Sequence, residues 1–207
     1  MLYSVMYSFR IEQAIRAAAV LHKNQVRKGD MPYPYVTHLF SVTSILQDYT
    51  TDENVIVAAL LHDAIEDTDY TLDELQEDFG STVRNIVATL SEPQTKANGD
   101  RLAWNERKKT YLKQLSNGPP EALLIAAADK AHNMRTAIES YFDRPGQYIQ
   151  DFGGTPDERL EQYQLFANLL NKKLQSDIIH EFNHVFTEYK TFINRVKKYQ
   201  NNRTKPK

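Results

Sequence analysis

Apolar residues recur at helical spacing along almost the whole chain. In segment 8–23 they lie three or four positions apart, on one face of a helix, at Ile11, Ala14, Ile15, Ala18 and Leu21. Similar patterns predict further helices over about 36–49, 52–67, 71–80, 81–90, 101–116, 119–142, 157–172 and 176–198. The chain has no convincing strand pattern and no internal repeat, so the sequence predicts an all-α, bundle-like single domain.

Local signals mark several of the expected helix ends. Thr71 and Glu74 form a T-x-x-E capping box, and Gly80 is expected to end the short helix that this box opens. Pro119 and Pro120 suit the first turn of a long helix that is apolar through its middle and is therefore expected to be central to the fold. Glycine and proline predict loops over 25–35, 91–100 and 143–156.

Composition excludes several classes of protein. The 207 residues include 25 basic and 27 acidic side chains, a net charge of −2, which argues against a strongly basic nucleic-acid binder. The absence of cysteine excludes disulfide scaffolds, thiolate zinc sites and cysteine nucleophiles. No apolar run approaches the roughly 20 residues that span a bilayer, and no secretory signal is recognised. We therefore expect a cytoplasmic protein that binds neither membrane nor nucleic acid.

A dense acidic segment follows the apolar run 55–61. Eight acidic residues and no basic residue lie between His62 and Asp78. If the helix 52–67 is continuous, His62, Asp63, Glu66 and Asp67 share one face within an arc of about 140°. Burying several carboxylates is costly unless cations or hydrogen bonds compensate, and a divalent metal would relieve part of the repulsion.

Two further candidate ligands lie on other predicted helices. His38 begins the second helix, and Asp129 is an isolated carboxylate among Ala, Ile and Leu. Together with His62 and Asp63 they form a mixed nitrogen and oxygen set that suits manganese, iron or zinc. Taken alone, His38 is more typical of a histidine at a helix start than of a ligand, and His62 with Asp63 is equally typical of a simple ion pair.

Three segments carry a resemblance to a known family. The order of His38, His62-Asp63 and Asp129 resembles the H…HD…D signature of HD-superfamily metal-dependent phosphohydrolases. The chain more closely resembles the hydrolase domain of RelA/SpoT-type alarmone enzymes. Three segments carry this resemblance: HKNQVRKGDMPYPYVTH, LLHDAIEDTDYTLDELQEDFG and AADKAHNMRT. The resemblance implies one HD phosphohydrolase domain over 1–207, with a motif core at about 20–140, C-terminal helices at about 157–198 and a basic tail at 199–207. Long members of that family carry a synthetase domain after the hydrolase domain, and we expect none within these 207 residues.

The resemblance also implies roles for individual residues. The metal, usually manganese in that family, would be held by His38, His62, Asp63 and Asp129. Glu66 and Asp67 match an acidic pair that orients or activates the attacking water and manages protons. Residues expected near the phosphates or lining the nucleotide pocket are Arg27, Lys28, Asn133 and Thr136.

Several residues admit two interpretations from the sequence. Tyr33 and Tyr35 suit either stacking on a base or packing beside the site, and Asn133 suits either the pocket or a link between helices. His22 is interpreted as structural or as a support of the ligands. His180 and His184 share a helix face, but they lack a third ligand and are expected on the surface.

The resemblance implies an enzyme with a small nucleotide as its partner. The expected reaction is the manganese-dependent removal of pyrophosphate from the 3′ position of guanosine 3′,5′-bis(diphosphate), ppGpp, which yields GDP. Two alternatives stay open: an HD-type phosphatase acting on another nucleotide, and a weakly active nucleotide-binding regulatory module. The Glu66–Asp67 pair favours an enzyme, since a pure binding module would not need it. The sequence leaves the oligomeric state open.

Overall fold

The computed structural model describes residues 7–29, 32–95, 99–152 and 155–204, with the side chains of 203 and 204 excepted. The all-α prediction is confirmed, because this part of the chain contains helices, loops and two isolated β-bridges but no strand. The helices are α1 (Phe9–Leu21), α2 (Val36–Leu46), α3 (Glu53–Leu60), α4 (Ala64–Asp67), α5 (Leu72–Leu90), α6 (Trp104–Asn117), α7 (Pro120–Tyr141), α8 (Pro145–Asp151), α9 (Pro156–Lys173) and α10 (Ile178–Thr204). Residues 205–207 of the predicted basic tail lie outside the described residues.

The predicted helix signals near α5 act as expected. The Thr71 hydroxyl accepts from the Glu74 backbone N–H, and the Glu74 carboxylate accepts from the Thr71 backbone N–H at 2.8 Å. Gly80 divides α5 with a φ of 85°, in the left-handed region where a side chain is strained. The chain therefore makes two helical stretches here, as the glycine predicts.

Three predicted boundaries are wrong. The last helix does not end at 198 and leave a tail from 199, because α10 continues to Thr204. The expected continuous helix 52–67 is broken: α3 ends at Leu60, residues 61–63 form a turn, and α4 follows. His62 Nδ1 lies 2.7 Å from the Ala59 carbonyl oxygen and occupies the acceptor that an unbroken helix would use. The predicted loop 143–156 contains α8, which starts with Pro145 in its first turn.

Helix α7 is the centre of the fold, as predicted. It packs against α2, α3, α5, α6, α8, α9 and α10. Its segment 122–128 is fully buried and consists of Ala, Leu and Ile, so neighbouring helices approach it closely on several sides. Asp129 follows directly and is 6% exposed, which places a carboxylate inside the core.

Within the described residues, the helices are too short or too polar for any of them to cross a bilayer.

Candidate active site

Three separate elements bring two histidines and one aspartate together. His38 lies in the first turn of α2, His62 in the turn between α3 and α4, and Asp129 in the middle of α7. Their ligating atoms all lie within 4.8 Å of one another, and all three residues are buried. The structure therefore gathers residues that are 91 positions apart in the chain into one cluster.

Asp63 completes the cluster from the same turn as His62. Its Oδ2 lies 3.1 Å from His62 Nε2 and 3.7 Å from His38 Nε2. Asp129 Oδ1 lies 3.2 Å from His38 Nε2 and 3.9 Å from His62 Nε2. Two imidazole nitrogens thus face two carboxylates across a space of a few ångströms, as the predicted ligand set requires.

The donor atoms of this cluster fit a divalent cation. In both histidines Nδ1 is engaged elsewhere: that of His62 with the Ala59 carbonyl oxygen, and that of His38 with His132 Nδ1 at 2.8 Å. Among the described residues, the buried Nε2 of His62 has no hydrogen-bond partner. Such a cation prefers neutral imidazole nitrogens and ionised carboxylates as ligands. Burial opposes protonation of His62, but Asp63 and Asp129 raise its pKa to about 9, so a cation bound at Nε2 would take the place of that proton.

Electrostatics keep both carboxylates ionised. Burial favours the neutral form of Asp129, but the Lys130 ammonium, 2.5 Å from Oδ2, and His38 outweigh burial and hold its pKa well below the usual range. Burial likewise opposes ionisation of Asp63, yet His62 and His38 hold the pKa of that carboxyl low. Two fixed negative charges in a buried cluster attract a cation strongly.

Glu66 and Asp67 lie on α4, one turn beyond the cluster, and both are exposed as residues. The Glu66 carboxylate accepts a hydrogen bond from the Glu92 backbone N–H at 2.7 Å. Desolvation by the protein atoms around this carboxyl raises its pKa to about 7, and Asp63 adds to the shift. Burial also raises the pKa of Asp67. A carboxyl that titrates near neutrality is suited to accept and return a proton.

A cavity of about 440 Å³ is lined by all four residues that were predicted to contact the substrate: Arg27, Lys28, Asn133 and Thr136. Glu66 and Asp67 line a separate, open recess instead. The cavity has the size typical of small-molecule sites. The sequence did not predict its other aromatic and cationic walls, which include Trp104, Lys108, Tyr111, Lys130, Arg159 and Tyr163.

The two predicted phosphate-binding cations have neutral partners. Arg27 donates to the Asn133 side-chain oxygen at 2.7 Å, and its guanidinium lies 5.5 Å from the centroid of the Tyr35 ring. Lys28 donates to the Asp151 carbonyl oxygen at 2.9 Å and lies 5.3 Å from the centroid of the Phe152 ring. Within the described part of the chain neither cation has an ion-pair partner, so this wall of the cavity favours an anion.

Tyr35 and His132 contact the cluster, although the sequence assigned a ligand-contacting role to neither. The Tyr35 hydroxyl donates to Asp63 Oδ2 at 2.7 Å, and its ring stacks on buried His22 with centroids 5.2 Å apart. His132 lies beside His38; it is three residues from Asp129 and belongs to the family-like segment AADKAHNMRT, the two sequence signals that could have selected it. His184, in contrast, is exposed, as predicted.

Comparison with known proteins decides the family. The sequence model of the HD domain matches residues 14–150. The chain belongs to the HD domain family. It is 34% identical over 164 residues to the guanosine-3′,5′-bis(diphosphate) 3′-pyrophosphohydrolase MESH1 of Mus musculus, covering 72% of this chain and 88% of that protein. It is also 34% identical over 162 residues to MESH1 of Drosophila melanogaster, covering 77% of this chain and 82% of that protein.

A solved structure extends the similarity to three dimensions. That structure is described as "A metazoan ortholog of SpoT hydrolyzes ppGpp and plays a role in starvation responses". It superimposes with a TM-score of 0.71 at 25% identity and covers 89% of this chain and 98% of its own. These similarities confirm the predicted membership of the HD family and the predicted resemblance to small alarmone hydrolases.

Proposed function

We propose that this HD domain hydrolyses ppGpp at its 3′ position. One water molecule is consumed, the bond between the 3′ oxygen and phosphorus breaks, and GDP and pyrophosphate are released. The observation that carries the proposal is the junction of two features: a buried His/Asp cluster and a cationic, aromatic cavity meet at Asn133. This residue accepts from Arg27 in the cavity wall and donates to Asp129 in the cluster at 2.5 Å.

The proposed cofactor is manganese, held by the four residues of the cluster: His38, His62, Asp63 and Asp129. A divalent cation in such a site lowers the pKa of water and polarises a phosphoryl group. The support for this assignment is the buried Nε2 of His62, which makes no hydrogen bond within the described residues and faces the two ionised carboxylates at 3.1 and 3.9 Å.

Glu66 and Asp67 are the proposed proton-handling residues. Their carboxyl groups follow the ligands by about one helical turn and have raised pKa values. We assign Glu66, whose pKa lies near 7, the acceptance of a proton from the attacking water and its return to the leaving group.

The nucleotide itself occupies the cavity in this proposal. Arg27 and Lys28 contact the phosphate that is not hydrolysed, because the acidic segment 62–78 offers no cation for it. Asn133 and Thr136 line the pocket between this phosphate and the cluster. We further propose that the chain acts in the cytoplasm as a single domain, with small nucleotides as its partners.

A product assay tests this function. The manganese-loaded protein is incubated separately with ppGpp, GTP, GDP and the adenosine counterpart of ppGpp, and nucleotides, pyrophosphate and phosphate are separated. Nucleotides with phosphates at both ribose positions should be the best substrates, and ppGpp should yield GDP and pyrophosphate in equal amounts. Phosphate release from a different nucleotide with no product from ppGpp would support another HD-type phosphatase instead.

Trp104 gives an independent measure of binding. It is the one tryptophan of the chain and lines the cavity. Its fluorescence should therefore change when ppGpp is titrated in the presence of a chelator, which prevents turnover. A saturable change with ppGpp and a weaker one with GTP is expected. No change with any nucleotide would contradict the placement of the substrate in this cavity.

A further inference from the structure

The two histidines of the cluster are held in place by different kinds of acceptor. His62 Nδ1 faces a backbone carbonyl oxygen, that of Ala59, at 2.7 Å. His38 Nδ1 faces the side chain of another histidine, His132, at 2.8 Å between the two Nδ1 atoms. A substitution cannot remove the backbone acceptor of Ala59, but it can remove the side chain of His132. His132 is therefore the support of the cluster that mutagenesis can test.

The chemistry of imidazole fixes the direction of this hydrogen bond. A neutral imidazole carries one N–H and one lone pair. His38 Nε2 lies 3.2 Å from Asp129 Oδ1, on the side where a cation would bind, and ligation requires the lone pair there. When a cation occupies the site, the proton of His38 therefore resides on Nδ1, and His132 Nδ1 must accept it.

We propose that His132 is a positioning residue of the metal centre. Its Nδ1 accepts the hydrogen bond from His38 Nδ1, selects the tautomer of His38 and directs the Nε2 lone pair toward Asp129. This inference rests on the ligand set of the proposed function and adds a residue that lies outside that set.

The fold supports this role. His132 and Asp129 lie on α7, three residues apart, so the helix that supplies one ligand also orients another. The rings of His38 and His132 have centroids 4.8 Å apart and are tilted by 46°, as expected for contact through ring nitrogens rather than stacking. An imidazole acceptor also adds no negative charge beside Asp63 and Asp129, in contrast to a carboxylate.

Manganese affinity tests the proposal without any measurement of activity. The electron paramagnetic resonance signal of free Mn²⁺ is followed while wild type, His132→Phe, His132→Asn and His184→Phe are titrated. His132→Phe keeps a ring but removes the acceptor, and should bind Mn²⁺ about 10–100-fold more weakly. His132→Asn places an oxygen near the lost Nδ1 and should retain most of the affinity. His184→Phe alters an exposed histidine on α10 and should match wild type.

The outcomes separate this inference from the proposed function. Wild-type affinity in His132→Phe would overturn the positioning role while leaving the centre intact. A wild-type protein that binds no Mn²⁺ would overturn both. If His132→Phe does not fold, nitrogen NMR of the zinc-loaded wild type decides: His38 should carry its proton on Nδ1 and bind zinc through Nε2, and the opposite tautomer would refute the proposal.

Discussion

Asn133 donates its side-chain N–H to Asp129 Oδ1 at 2.5 Å from a position one turn further along α7. Its amide oxygen accepts from Arg27, so the amide is oriented from both sides. Asn133 lines the cavity, and its hydrogen bonds reach a loop residue and its own helix, so they do not form the link between helices that the sequence also allowed. These hydrogen bonds join the cation that faces the cavity to the carboxylate that faces the cluster.

Arg27→Ala should raise KM for ppGpp more than it lowers kcat. The guanidinium contacts a phosphate that does not react, so its removal weakens substrate and transition state alike. Hydrogen bonds to charged groups contribute ~1.5–3 kcal/mol, which corresponds to an increase of about tenfold or more in KM. Steady-state kinetics with Arg16→Ala as control measures the effect, since Arg16 lies on the exposed face of α1. An unchanged KM would place the phosphate elsewhere.

Glu66→Ala and Asp67→Ala should retain the metal and lose most turnover. Proton-transfer groups typically contribute about 10²–10⁴-fold to the rate. Manganese content and kcat are measured on the same preparations, with Glu77→Ala, an exposed substitution on α5, as the matched control. Near wild-type rates in both variants would show that neither carboxyl moves a proton in the reaction.

The raised pKa of Glu66 predicts a pH-dependent stability difference in the metal-free protein. The carboxyl titrates at about 7 in the folded chain and near 4.5 when unfolded, so the folded state prefers the protonated form. The cost of ionising Glu66 is absent below pH 4.5, grows up to about pH 7 and is then constant. Glu66→Gln avoids this cost and still accepts from Glu92. The Tm of Glu66→Gln, measured with a chelator present, should increase relative to the Tm of wild type as the pH rises from 4.5 to 7. A difference in Tm between Glu66→Gln and wild type that stays constant over this pH range would contradict the raised pKa of Glu66.

Local sequence signals predicted those parts of the fold that depend on near neighbours. The capping box of Thr71 and Glu74 and the break at Gly80 are fixed by residues within a few positions of each other. The break before α4 is different, because it depends on His62 turning into the cluster formed with α2 and α7. Helical periodicity carries no information on that contact.

The same distinction applies to the site. His38, His62, Asp63 and Asp129 were predicted because their residue types and order are unusual for helices with apolar cores. His132 was not singled out, since its contact with His38 arises only when α2 packs on α7. The cavity walls from α6 and α9 were not predicted either. In the sequence, Arg159 and similar side chains look like ordinary exposed positions of a helix. Only the packing of the helices places them around the cavity.

Metal content tests the central claim most directly. Purified protein is stripped with a chelator, reloaded with Mn²⁺, freed of excess ion and analysed for manganese per chain. Wild type and the exposed control His184→Ala should each retain one ion per chain. His62→Ala and Asp129→Ala should each lose it, because each substitution removes one donor from the three buried ligands of the proposed set. Full manganese content in both of these variants would contradict the assignment of this cluster as the metal centre.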